Sequence, residues 1–150
     1  MNHKEVGIVM INSIEAAAKN FCTHQLGMEC HNIEKYDGVR TFIAYIDIVV
    51  SNSDKYRVFI AANEAFMQSV ATLFLEEEKS DEETLQDMTL ETANLIIGSA
   101  KVLAEESENP YDIGTPSFEG IAAFNINYDE IVILSNAASE LIIAVKELDV

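Results

Sequence analysis

The sequence predicts an α+β fold in which long helices pack on an antiparallel sheet. Two long segments carry apolar residues in helical spacing, and β-branched and aromatic runs separated by turn residues lie between and after them. Each half of the chain also opens with a helix of roughly 20 residues followed by strands, a faint pseudo-two-fold rhythm with slight residue identity. At 150 residues, with no Pro-, Gly- or Ser-rich linker, the chain is expected to form one domain over residues 1–150.

The first helix is read from Lys4 to Leu26, because Val6, Val9, Met10, Ile14, Ala17, Ala18, Phe21 and Cys22 recur at i, i+3 and i+4 up to Gly27. Residues 30–33, 40–50 and 56–61 read as strands of an antiparallel meander, broken by Tyr36-Asp-Gly-Val39 and Ser51-Asn-Ser-Asp54. Asn63 is placed as the N-cap of a second helix through Phe66, Val70 and Leu75, and a polar Glu-Glu-Glu-Lys-Ser connection follows. The longest helical pattern runs from Asp81 to Glu106 and is broken by Asn109-Pro110, with a stiff turn at Gly114-Thr115-Pro116. Residues 118–125, 130–134 and 141–148 close the chain as strands.

Charge narrows the functional classes. Twenty-six acidic residues against nine basic ones give −17, which repels phosphate backbones and anionic lipid at long range and argues against nucleic-acid and membrane partners. The stretch 76–91 concentrates this charge and is read as a solvated connection and helix start, acidic side chains being favourable at a helix N-terminus. The run Gly7–Asn12 is too short for a signal sequence, so the expected location is the cytoplasm, with Cys22 and Cys30 as free thiols packed like small hydrophobes. Cys22, His24, Cys30 and His31 do not read as a zinc set: the first two diverge on a helix and the last two point to opposite faces of a strand. The acidic stretch 76–83 lacks the spacing that wraps oxygens around calcium, so no metal site is expected.

On a helical wheel at ~100° per residue, Leu85, Met88, Ala93, Ile96, Ile97, Ala100 and Leu103 form a broad apolar arc that should face the sheet. Asp87, Glu91, Asn94, Gly98 and Lys101 fall on the opposite side, with Glu91 and Asn94 neighbours at i, i+3. A glycine inside a helix costs about 0.5–1 kcal/mol relative to alanine, and close approach of another body is the usual compensation. Spacing alone assigns no chemistry to this face, because E-x-x-N occurs on many solvated helices.

Asp87-x-x-x-Glu91-x-x-Asn94, the continuation to Gly98, and Pro116 after 21 intervening residues resemble the signature of the CheC, CheX and FliY phosphatase family, whose usual gap is one residue longer. The resemblance extends to the order of helices and strands along nearly the whole chain and implies a CheC-like fold. Only one such motif is present. The first helix reads Asn12-Ser-Ile-Glu15-Ala-Ala-Ala18-Lys19, with Ala18 where the amide would stand, so the chain resembles the single-centre CheX proteins more than CheC. A FliY-like protein would need a further switch-binding domain, for which the length leaves no room.

The resemblance implies hydrolysis of the aspartyl phosphate of a CheY-type response regulator. Asn94 would orient the attacking water and Glu91 would pair with a lysine of the partner. Asp87, Gly98 and Pro116 would give contact and support. The partner would supply the magnesium, and this chain would bind no cofactor of its own. A homodimer formed by pairing sheets is also implied. The alternative reading is a non-catalytic module that binds a response regulator or flagellar switch protein.

Overall fold

A computed structural model describes residues 2–50 and 54–148. Helix α1 (His3–Asn20) starts where Asn2 Oδ1 accepts the Glu5 N–H at 2.8 Å, and it buries Met10, Ile11, Ile14, Ala17 and Ala18. Its last turn, Phe21–Gln25, is wound as a wider π turn that carries Phe21 and Cys22 into the core. The helix run then ends at Gly27, whose φ of 65° suits a residue without Cβ.

The remaining elements are β1 (His31–Ile33), β2 (Arg40–Val50), β3 (Asp54–Asn63), α2 (Glu64–Leu75), α3 (Glu82–Glu106), β4 (Asp112–Ile113), β5 (Ser117–Ala123), β6 (Glu130–Asn136) and β7 (Ser139–Leu148). All strand pairs are antiparallel, in the order β1-β6-β7-β3-β2, and β5 and β4 share the far edge of β2. The expected α+β plan of helices on an antiparallel sheet is the one observed.

The meander expected for the first three strands is not. Strands β2 and β3 pair along their length, from Thr41↔Asn63 to Val50↔Asp54, but β1 pairs with β6 at His31↔Ser135 through Ile33↔Ile133. Residues 34–39 form no tight hairpin that could return β1 onto β2, and Ile33 packs in the apolar cluster that contains Ile133. The pseudo-two-fold rhythm thereby gains a structural meaning. Each half supplies a helix and a hairpin, β2–β3 or β6–β7, and the two hairpins join at β3–β7. The spare strand of each half, β1 or β5, lies on the other half's hairpin.

The three helices cover one sheet face. There Phe42, Ile46, Ile48, Val58 and Ile60 of the first hairpin meet Met67, Leu85, Ile96 and Ile97 of the helices, all fully buried. Full burial of one such side chain contributes about 1.5–3 kcal/mol. The opposite face has its own smaller cluster, in which Ile43, Phe59, Ile133 and Ile142 are capped by Phe124 and Tyr36. Because β3 and β7 bury residues on both faces, residues 141–145 read as a continuous apolar run rather than an alternating one.

The N-cap predicted at Asn63 is present and does more than cap. Its Oδ1 accepts the Phe66 N–H at 3.0 Å and the Glu140 N–H at 3.1 Å, while Nδ2 donates to the Ala138 carbonyl at 2.7 Å, tying α2 to the β6–β7 turn. Helix α3 is capped by Asp81, which accepts the Thr84 N–H at 2.8 Å; that hydrogen bond holds the Asp81 carboxyl below the usual range. It ends as a Schellman turn: Glu108 takes φ 62°, and the Asn109 N–H reaches back to the Ala104 carbonyl at 2.8 Å, with Pro110 next.

Candidate active site

Helix α3 packs against both α1 and α2 and crosses β2 and β3, so its inner face is enclosed on three sides. Leu85, Thr89, Thr92, Ala93, Ile96, Ile97, Ala100 and Ala104 are buried, and Met88 and Leu103 are partly so. The apolar arc of the wheel is therefore the core face. Thr89 and Thr92 belong to it as well, although residue type hides them. Each hydroxyl donates 2.7 Å back to the carbonyl four residues earlier, Leu85 and Met88, which satisfies it without any partner outside the helix. Their position one turn from Leu85 and Ile96 is the signal that could have found them.

Asp87, Glu91 and Asn94 are all exposed and Gly98 is half-exposed, so four of the five singled-out residues share the outer face of one helix. Among the described residues neither Glu91 nor Asn94 has a side-chain hydrogen bond or ion-pair partner. Their neighbour Lys101 is drawn to Glu105 at 3.5 Å. A Cβ built on Gly98 would meet nothing within 4 Å, so the glycine is not there to admit another element of this chain. Pro116, half-buried, stands apart from the helix on the connection between β4 and β5. Both of those strands contact α3, and the Gly114 N–H donates 2.8 Å to the Asp47 carbonyl, which pins the turn to β2.

The pair lies on exposed helix surface. Two features that could carry chemistry lie elsewhere. A groove of about 730 Å³ runs between α1 and the end of α3, floored by Val9, Met10 and Leu103. There the Tyr111 hydroxyl, pushed above its ordinary value by burial, lies 3.3 Å from Ser13 Oγ. None of Asp87, Glu91, Asn94 or Gly98 lines this groove. The Cys22 thiol is buried and faces Cys30, and desolvation with that neighbour pushes it far above the range of a nucleophile. Cys22 therefore packs as a small hydrophobe. His24 and His31 are both exposed, and among the described residues no three His, Cys, Asp or Glu side chains converge as metal ligands.

A carboxylate and a neutral amide one helical turn apart, both free to pair outward, can grip a cationic group and orient a polar molecule. Neither side chain lines the groove between α1 and α3, so the pair is presented to whatever docks on this face. Fold and site together define an α+β protein that presents a carboxylate and an amide on the outer face of α3. The sequence model of the family described as Chemotaxis phosphatase CheX matches residues 44–135, which includes all of α3 and Pro116; the chain belongs to that family.

Solved structures agree on the fold. The chemotaxis protein CheX of Vibrio vulnificus superposes with a TM-score of 0.77 at 20% identity, covering 93% of this chain and 99% of that one. A CheC-like superfamily protein of Shewanella sp. PV-4 gives 0.74 at 21% identity, over 99% and 100% of the two chains. A chain of the CheX-CheY-BeF3-Mg complex of Borrelia burgdorferi gives 0.64 at 20% identity, over 91% and 97%. Comparison with curated proteins finds no match.

Proposed function

We propose that this chain accelerates hydrolysis of the aspartyl phosphate of a CheY-type response regulator, with Asn94 and Glu91 as the working pair. The observation that carries the reading is the joint exposure of these two side chains on the outer face of α3, in a chain of the CheX family. A solved relative from Borrelia burgdorferi is a complex of CheX with CheY, BeF3 and Mg, which supports a CheY-type regulator as the partner class.

Phosphoryl transfer to water needs an in-line nucleophile and compensation of charge on the transferring group. The side-chain amide of Asn94 has one acceptor and two donor hydrogens, so it can accept from the attacking water while donating to a phosphoryl oxygen. The amide carries no charge that would repel the phosphate. Glu91, on the neighbouring turn, pairs with a lysine of the regulator and sets the register in which Asn94 enters. Asp87 and Pro116 bound the contact, and magnesium comes with the regulator; this chain contributes no cofactor. A homodimer joined through the sheet is part of the same reading.

The test is the decay of the phosphorylated regulator in magnesium buffer with and without this protein. Acceleration at substoichiometric protein is the expected result. Unchanged decay with demonstrable binding would replace the phosphatase by a regulator-binding module.

A further inference from the structure

We propose that the docking surface for the response regulator continues beyond the Glu91–Asn94 pair, over bare helix backbone at Gly98, to an apolar anchor at Val102. The proposal rests on the regulator-phosphatase reading and extends it to a specificity-determining residue.

Val102 lies two turns past Asn94, about 12 Å further along the axis, and on the same outer face, four residues from Gly98. It is 52% exposed, whereas Leu85, Met88, Leu90, Leu95, Ile96, Ile97 and Leu103 of the same helix are all buried or packed against the core. Single exposed apolar residues need no explanation on their own. Here two neighbouring positions depart from the helix rules together. Valine and glycine are both poor helix formers, and exposed helix positions favour alanine, glutamate or lysine. No intramolecular packing accounts for either: space above Gly98 is open, and Val102 faces solvent.

Asn94, Gly98 and Val102 themselves carry no charge, and the flanking Lys101 and Glu105 pair with one another at 3.5 Å. The absence of a side chain at Gly98 lets a partner's surface come down to the helix backbone. A body lying that close brings an apolar side chain onto Val102. The occupant is the same regulator that meets Glu91, since the strip is continuous with that pair on one helix face. Val102 is a docking residue and takes no part in orienting water.

Beryllofluoride-loaded CheY-type regulator with magnesium is titrated against wild type, Val102→Ser, Val102→Ile and Asn94→Ala, and decay of the phosphorylated regulator is followed over the same concentrations. Val102→Ser should weaken binding and raise the half-saturating regulator concentration about tenfold, with the limiting rate kept. Val102→Ile should restore both, and Asn94→Ala should bind like wild type while losing the rate. Equal binding by wild type and Val102→Ser overturns the Val102 proposal and leaves the phosphatase reading standing. Wild-type binding without acceleration overturns the phosphatase reading, and the titration alone then decides Val102. No binding by wild type overturns both.

Discussion

Glu91 and Asn94 are exposed on one face of α3 while the two residues between them, Thr92 and Ala93, are fully buried against the core. The helix is fixed from beneath by its packing, so the outward pair is held by a rigid element instead of a loop. A water-orienting amide needs such support, because misplacement by about 1 Å can cost 100-fold in rate.

Removing the amide should therefore separate chemistry from binding. Asn94→Ala is expected to lose at least about 100-fold of the acceleration and keep its affinity for the regulator, as measured by titration beside the decay assay. Glu91→Ala should weaken both, since register and grip depend on its carboxylate. Both side chains are exposed, so neither variant should lower the Tm appreciably.

Gly98→Ala should stabilise the protein. The added methyl group meets nothing within 4 Å and the helix gains up to about 1 kcal/mol, a rise in Tm of about 2–4 °C in a thermal melt. An unchanged or lower Tm would contradict the open space above this glycine.

Asn63 couples three backbone groups through one side chain. Asn63→Ala leaves the Phe66 and Glu140 N–H groups and the Ala138 carbonyl without it and should cost about 2–3 kcal/mol in denaturant unfolding, more than a simple cap.

Glu140 gives a pH signature. Burial, opposed by the Asp37 N–H at 3.4 Å and reinforced by the Asp37 carboxylate, raises its carboxyl above the ordinary value. The folded chain thus holds this proton more tightly than the unfolded chain. The stabilising effect is complete below the unfolded carboxyl value, near 4.3, and is lost as pH rises through the elevated folded value. Glu140→Gln should raise the Tm at pH 7, and the difference from wild type should shrink towards zero below about pH 4.

Much of this was legible in the sequence because it is local. The cap at Asn63, the stop at Asn109-Pro110 and the apolar arc from Leu85 to Leu103 all follow from rules acting within a turn or two. Pairing of β1 with β6 joins residues about a hundred positions apart, and nothing in His31-Asn-Ile33 announces that partner. Strand β4 is two residues long and pairs with Ile48 and Val49 on the edge of β2 that β5 leaves open past Tyr45. Thr89 and Thr92 were hidden by their hydroxyls, which the helix satisfies internally. On the outer face the residue pair was visible from spacing, but E-x-x-N on its own assigns no role; the proposed one draws on family membership and on the lack of a side-chain partner for either residue among the described residues.

The central claim is that Asn94 of this chain supplies the catalytic amide for a partner's phosphoryl group. The most direct measurement is the decay rate of a phosphorylated CheY-type regulator in magnesium buffer, with wild-type protein and with Asn94→Ala at equal, verified binding. Faster decay with wild type alone is the predicted result. Equal decay with the two proteins, whether both accelerate it or neither does, would contradict the account.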